Sequence, residues 1–352
     1  MNDSGATRWQ QSYPTPDMLV GADDPITPET PNEVTYSTLS NRAAQLLMVR
    51  EYELNIPLNC SLYNRGVNDV YLLSTSRGRF ALRISRVNWR SREAIVEELD
   101  ALHYLRRNGV DVALPVSRRD GDFITDVTLP EGRRSAVVFH WINGVELKYS
   151  DPEHSLHCGR LVARMHAATN YLPPCQTRKR LDLECLLTEP LSTLRPRLEY
   201  IPEHIRRLDA LVTRIEQRID TATVANLDWG FCHGDVCANN ARIEGNKVVL
   251  FDFDICGLGW RALDLACYRL DARRNAMESV AWPSFIKGYL EVRPQMESSL
   301  EVIGVFMILR YLWTMALWVT LSSEGVMFAL AEDFFEGLVP YCEEIESDTK
   351  NG

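Results

Sequence analysis

The stretch Phe231–Asp254, FCHGDVCANNARIEGNKVVLFDFD, decides how this chain is read. Its polar residues, among them His233, Asp235, Asn240, Asp252 and Asp254, gather at the two ends of what reads as a tight hairpin. Two short apolar runs flank Glu244-Gly245-Asn246, where glycine supplies the positive φ that such a turn needs. Antiparallel pairing folds the ends together, so Asn240, just before the first strand, is expected beside Asp252, just after the second. Cross-strand neighbours lie about 4.5–5.5 Å apart, a spacing at which two oxygens can share one hard cation. Magnesium takes one or two such ligands and completes its octahedron with phosphate oxygens and water.

Asp235 stands five residues before Asn240, on the loop HGDVCANN. It would reach the same space without touching a metal, free to accept a hydroxyl proton and to aim the nucleophile. That division of labour is the one phosphoryl transfer needs: one acid for the attacking hydroxyl, an Asn and an Asp for the metal ions. The protein-kinase signature keeps the same interval between its catalytic Asp and its Asn. Asp and Asn are also ordinary turn residues, and His233-Gly234-Asp235 alone would equally suit a loop cap. It is the following hairpin, ending in Asp at the required place, that favours phosphoryl transfer.

A site of this kind needs a cation over the phosphates, itself held by a carboxylate. In RFALRIS, Phe80, Leu82 and Ile84 share one strand face, leaving Ala81 and Arg83 on the other. A helix from Ser91 to Arg107, stopped by Asn108-Gly109, places Ile95, Leu99, Leu102 and Leu105 on one face. Glu98 falls inside that apolar stripe, whereas Glu93 and Glu97 point elsewhere. A carboxylate facing the core is costly unless paired, and Arg83 is its expected partner, either as a phosphate grip or as a plain strand-to-helix salt bridge. Arg83 occupies the position of the kinase β3 lysine, and arginine offers phosphate a fork rather than a point charge. The loop YNRGVNDVY, with Gly66 and Asn68, would cover the phosphates, although it lacks G-x-G-x-x-G.

The rest of the chain fits around these elements. Residues 1–34 are rich in Pro, Asp and Thr without periodicity and read as a disordered tail. A helical pattern begins in YSTLSNRAAQLLMVREY, and VYLLST and RFALRIS read as strands about the turn SRG. After residue 144 helical periodicity dominates, as in HSLHCGRLVARMHAAT, where Cys158, Leu161, Val162 and Met165 form a stripe. The expected class is α+β and bilobal, like a protein kinase. Residues 35–138 form a small antiparallel-sheet N-lobe with one key helix, 139–144 a hinge, and 145–352 a mainly helical C-lobe. With 352 residues there is room for both cores. The net charge of −10 argues against nucleic acid. The apolar run Val302–Leu321 has the length of a membrane span, but Arg310 near its centre favours a buried core helix. The 9 cysteines contain no C-x-x-C pair, and no secretory signal opens the sequence, which together read as reduced thiols of a cytoplasmic protein.

The chain resembles the aminoglycoside phosphotransferase and choline kinase-like family, especially its bacterial branch of stress-response-kinase and homoserine-kinase-like proteins. HGDVCANN is similar to that family's catalytic loop, and LFDFDICGLGWRALDLA to its metal loop and the helix start after it. FALRIS, VEELDALHYLRRNGV, VVFHWINGVEL and LVARMHAA are similar to its N-lobe strand, N-lobe helix, hinge and first C-lobe helix. The resemblance runs from about Ser61 to the C-terminal helices. It implies Asp235 as catalytic base, Asn240 and Asp252 as magnesium ligands, Asp254 as a second metal contact and Asp264 as a structural brace. It further implies Arg83 and Glu98 at the phosphates, and Val138, Phe139, His140 and Trp141 bordering the adenine through backbone groups. Cys237 and Asn239 depart from the usual His and Gly without touching these roles.

The implied reaction moves the γ-phosphate of ATP, with Mg2+, to a hydroxyl. The acceptor is expected to be an amino alcohol, an aminoglycoside-like compound or a similar metabolite, with no nucleic-acid or membrane partner. A Ser/Thr protein kinase of the stress-response type is the alternative, and a nucleotide-binding pseudokinase a third reading. Arg269, Arg273, Arg310, Trp313 and Trp318 are candidates for the acceptor pocket. Arg310, inside an apolar helix, calls for a carboxylate, either near Asp264 or on the substrate, or else an ordinary internal salt bridge.

Overall fold

Alternating burial along the first strands builds an antiparallel sheet, and the helices that follow it close a second, larger core. The computed structural model describes residues 34–55, 59–173, 179–219, 227–245, 247–326 and 330–350. The tail expected before residue 35 therefore lies outside the described residues, apart from Val34.

Helix α1 (Asn41–Glu51) begins later than the pattern from Tyr36 suggested, because the Ser40 side chain caps it by accepting from the Ala43 N–H. The residues before it stay extended and are bonded to the sheet: the Tyr36 hydroxyl donates to Asp69 at 2.5 Å, and Ser37 Oγ to Glu131 at 2.5 Å. Strands β1 (Asn59–Arg65), β2 (Asn68–Thr75) and β3 (Gly78–Ser85) follow, then α2 (Arg92–Arg107), β4 (Ile124–Leu129) and β5 (Gly132–His140). The sheet order is β1-β2-β3-β5-β4, with every pair antiparallel. Thr75 pairs with Gly78, so the expected turn closes over Ser76 and Arg77.

The two faces of this sheet do different work. Phe80, Leu82 and Ile84 pack with Ala44, Leu47, Met48 and Tyr52 under α1. Arg83 therefore points to the other face, toward α2, as the alternation required. Helix α2 is capped by Ser91 and stopped at Asn108-Gly109, with Gly109 at φ +77°. Ile95, Leu99, Leu102, Leu105 and Glu98 are all buried as read from the sequence, but Glu97 is buried too.

The chain leaves the sheet at His140 and enters the second core with β6 (Val145–Glu146). Helix α3 (Pro152–Ala168), β7 (Arg180–Leu181), α4 (Glu189–Leu198), α5 (Pro202–Arg218) and β8 (Trp229–Cys232) come next. The hairpin β9 (Ala241–Glu244) and β10 (Lys247–Leu250), strand β11 (Gly257–Trp260) and helices α6 (Ala262–Arg274), α7 (Glu278–Val292), α8 (Ile303–Ser323), α9 (Glu332–Glu336) and α10 (Leu338–Lys350) complete it. Strands β10-β9-β6 form one small sheet and β7-β11-β8 another. The apolar run is α8, a core helix packed against α4, α6 and α10 with most of its length buried.

Helices α3 and α7 approach through two glycines. A Cβ on Gly159 would come within 2.0 Å of the Phe285 carbonyl oxygen, and one on Gly288 within 2.1 Å of that of Leu156. Backbone atoms cannot swing aside as a side chain would. Gly288→Ala is expected to cost at least about 1–3 kcal/mol in urea unfolding, the usual cost of overpacking. Gly66→Ala, whose nearest neighbour would be 3.8 Å away, should stay within about 0.5 kcal/mol of the parent.

Candidate active site

Strand β8 delivers the chain into His233-Gly234-Asp235, and a buried carboxylate fixes the loop there. Asp264, in the first turn of α6, accepts the backbone N–H of His233 (2.8 Å) and of Gly234 (2.7 Å). It also accepts His166 Nε2–H at 2.9 Å, and His166 Nδ1 accepts the Tyr289 hydroxyl at 2.8 Å. Burial by itself would raise the Asp264 pKa, but the bond from His166, the nearby rings of His166 and His233 and the Gly234 N–H outweigh it and hold the carboxyl below its ordinary range. Burial wins at His166, whose pKa is lowered, so the ring is a neutral donor to an ionised acid. Asp264 is thus the brace the sequence suggested. His233 ties the loop to the hairpin: its Nε2 meets the Phe251 carbonyl at 3.0 Å, and its Nδ1 accepts the Asp235 N–H at 3.2 Å.

The hairpin forms in the expected register. Ala241 pairs with Leu250, and the Phe251 N–H donates to the Asn240 carbonyl at 3.0 Å, which leaves Asp252 one residue beyond. Asn240 Nδ2 donates to Asp235 twice, to its carbonyl (3.0 Å) and to Oδ2 (2.9 Å). Its amide oxygen is thereby turned away from Asp235. Asp252 adopts φ +62°, a left-handed conformation that Asp tolerates better than most residues, and its side chain is 46% exposed, toward the cleft. Protein encloses the carboxyl on its other sides. That enclosure, together with the charge of Asp254, pushes its pKa up to about 7, with Asp235 adding to the effect and Arg83 opposing it. Asp235, Asn240 and Asp252 thus face one space.

Asp254 is placed differently. It is buried, its Oδ2 accepts the Trp89 indole N–H at 2.6 Å, and its Oδ1 has no hydrogen-bond partner. Among the described residues no group of three or more His, Cys, Asp or Glu could hold a metal ion. An amide oxygen and one or two carboxylates suit magnesium, which draws its other ligands from phosphate and water. The buried Asp254 oxygen that accepts no hydrogen bond and the crowding of negative charge on Asp252 are what such a cation would relieve.

Above these acids, Arg83 and Glu98 form a bidentate pair at 2.9 and 2.8 Å. Burial alone would lower the Arg83 pKa, but Glu98, Asp254 and Asp252 raise it, so the guanidinium stays charged. It lies over the Phe139 ring, 5.0 Å from the centroid, and 3.8 Å from Asp252. Arg90 donates to Glu98 as well, at 2.5 Å, and comes within 3.6 Å of Asp254. One carboxylate therefore holds two arginines.

A cleft of about 340 Å³ opens between the sheet and the hairpin, lined by Ala81, Arg83, Glu98, Phe139, His140, Trp141, Asn240 and Asp252. Several expectations need correction here. Val138 is packed in the N-terminal core and does not line the cleft, nor do Gly66 and Asn68; Tyr63 and Asn64 of β1 do so instead. The backbone groups expected to meet adenine are largely spent. The Val138 carbonyl accepts from the Val116 N–H and the His140 N–H goes to Leu114, because residues 114–116 run beside β5, while the Trp141 N–H goes to Arg79 of β3. Arg269 and Arg273 are paired with Glu278 and line a separate shallow groove. Trp318 packs on Phe334, not on Arg310.

Arg310 does find a carboxylate, that of Asp235, next to the loop residues that Asp264 holds: the internal salt bridge that the sequence allowed. It donates to Asp235 Oδ1 at 2.5 Å and stacks on Trp313, 4.6 Å from the ring centroid. Other residues at the site had no reading in the sequence. Trp89 and Arg90 reach it through contacts to Asp254, far along the chain, that no local pattern marks. Tyr149 also escaped notice; its hydroxyl accepts the Ala238 N–H at 2.9 Å. His166 left a signal, a titratable ring on the same apolar stripe as Val162 and Met165.

The raised Asp252 pKa has a sign that can be checked. Its charge is penalised in the folded state, so the folded protein loses stability as pH rises from the unfolded carboxylate range to about 7. In metal-free buffer, Asp252→Asn is expected to raise the melting temperature at pH 8, with the gain vanishing near pH 4. A gain independent of pH would contradict this.

Comparison with known proteins fits the geometry. Residues 62–297 match the phosphotransferase enzyme family. An uncharacterized protein of Deinococcus radiodurans is 35% identical over 307 residues, covering 86% of this chain and 88% of that protein. The homoserine kinase of Brucella anthropi is 28% identical over 269 residues, 73% of this chain and 77% of its own. Among solved structures, the amicoumacin kinase hAmiN, in complex with AMP-PNP, Ca2+ and Ami, superposes with a TM-score of 0.68 at 20% identity, covering 88% of this chain and 94% of its own. The fold is therefore α+β and kinase-like, and the chain belongs to the phosphotransferase enzyme family, as an enzyme of phosphoryl transfer to hydroxyl groups.

Proposed function

We propose that this protein transfers the γ-phosphate of ATP, with Mg2+, to the hydroxyl of a small amino alcohol or a similar amino-bearing metabolite. The observation that carries this reading is the convergence of Asp235, Asn240 and Asp252 beneath the Arg83–Glu98 pair. Asn240 and Asp252 would hold Mg2+, with Asp254 close by. The ion would neutralise charge on the phosphates and on the leaving oxygen. Arg83, kept charged and fixed by Glu98, would grip the phosphates.

Asp235, 35% exposed and accepting bonds from Asn240 and Arg310, would take up the acceptor hydroxyl. As the acceptor oxygen bonds to the γ-phosphorus, the bond to the β-phosphate oxygen breaks, ADP leaves, and the hydroxyl proton passes to Asp235. Similarity to a homoserine kinase and an amicoumacin kinase supports a small acceptor carrying an amine. The cysteines of the described residues are free thiols, which accords with a reducing cytoplasm where ATP is available.

The test is ADP release from Mg2+·ATP by the purified protein with a panel of hydroxyl compounds, including L-homoserine, ethanolamine, 1-amino-2-propanol and aminoglycosides, beside a protein substrate. Turnover that depends on a small amino alcohol is expected, together with its loss on chelation of the metal. Phosphate appearing only on protein would replace the acceptor class. Asp235→Asn should lower kcat by about 10²–10⁴-fold, the usual contribution of a positioned base, while nucleotide affinity stays within a few-fold.

A further inference from the structure

Arg310 sits within the apolar helix α8, and its side chain is 12% exposed. Helix packing gives no reason for a cation there. A buried guanidinium loses its hydration, and an apolar side chain of similar volume usually serves a core at least as well. Nor does the catalytic loop need Arg310 to hold its backbone. That backbone is already fixed at His233 and Gly234 by Asp264, at Asp235 by His233, and at Ala238 by Tyr149. What Arg310 contacts is the carboxylate of Asp235: its Nη2 donates to Oδ1 at 2.5 Å, while Asn240 donates to Oδ2 at 2.9 Å.

Two donors, one on each oxygen, fix both the rotation and the tilt of the carboxylate. Each oxygen keeps a lone pair for another donor. Trp313, one turn along α8, lies against the guanidinium and restricts its swing. The positive charge also offsets Asp235 in a cleft that already holds Asp252 and Asp254 and must admit a triphosphate.

We propose that Arg310 is a positioning residue for phosphoryl transfer: by holding Oδ1 it aims the free lone pairs of Asp235 at the acceptor hydroxyl. This rests on the reading of Asp235 as the base. It is a role in the chemical step, not in nucleotide binding, because the group Arg310 holds is the Asp235 carboxylate. Misplacing a reacting group by about 1 Å can cost about 10²-fold in rate, which sets the size of the expected effect.

The experiment measures kcat and KM for ADP release from Mg2+·ATP, with water, L-homoserine and ethanolamine as acceptor probes. Arg310→Met and Arg310→Gln should lower kcat by about 10²-fold, with the KM for ATP within about twofold of the parent. Arg310→Lys, which keeps the charge but not the fork, should recover part of the loss. Adding Arg310→Met to Asp235→Asn should cost nothing further, because the two side chains act as a unit. Parental kcat in either folded uncharged variant overturns the proposal, as does a multiplicative loss in the double variant. An ATP KM that rises in step with lost activity makes the role structural and also overturns it. If the parent protein turns over with none of the three probes and none of the wider panel, the kinase reading itself fails, a result distinct from a working parent with indifferent variants.

Discussion

Everything at the cleft floor depends on Asp264 being ionised inside the core. A carboxylate with no exposed surface is costly unless its lone pairs are filled, and here two consecutive backbone N–H groups and a neutral imidazole fill them. The bargain is mutual, because those N–H groups sit in a turn with Gly234 at φ +84° and would otherwise have no partner. Further support lies behind: His166 leans on Tyr289, Tyr289 receives a 3.4 Å contact from Arg293, and Arg293 pairs with Asp228 at 2.8 Å. Helices α3, α6 and α7 are thereby tied to one loop. The position of Asp235 is a consequence of helix packing, not a local property of the loop.

The second constraint is charge. Asp235, Asp252 and Asp254 crowd one space, and Glu98 adds a fourth acid above them. Arginine supplies the balance. Arg83 and Arg90 share Glu98 and approach Asp252 and Asp254, while Arg310 answers Asp235 from the opposite side. A lysine in place of Arg83 could not bridge Glu98 in bidentate fashion while stacking on Phe139. The departure from the usual lysine thus comes with its own supporting contacts, including a second arginine on the same carboxylate.

The features legible in the sequence were those that local patterns encode. The face of α2 that carries Glu98 and the strand face that carries Arg83 follow from spacings of about 3.6 and 2 residues, the hairpin register from its glycine turn, and the α8 core helix from a charge inside an apolar run. The start of α1 was misread because Tyr36 and Leu39 fit its apolar period, yet the hydroxyls of Tyr36 and Ser37 are taken by Asp69 and Glu131, far along the chain. The bonds already made by the backbone at the hinge were hidden for a related reason. Whether a strand's outer N–H groups are free depends on what lies beside it, and residues 114–116 carry no mark of pairing with β5. Arg310 was recognised as needing a carboxylate, but which one is fixed only by how α8 docks against the catalytic loop.

Departures from ordinary packing rules concentrate where chemistry is expected. Asp252 holds a left-handed φ and an elevated pKa, Asp254 keeps a buried oxygen that accepts no hydrogen bond, Arg83 Nε likewise makes none, and Arg310 interrupts an apolar helix. Positive φ alone would not single out the site, since Asn55, Asn88 and Ala276 share it at loop positions. The coincidence of several departures in one cleft is the stronger signal, because each goes against what packing alone would favour. A divalent cation with a triphosphate would answer the acids from one side, as the arginines answer them from the other. The free protein is therefore a half-neutralised site, and the binding energy of the nucleotide complex would be drawn in part from relieving that imbalance.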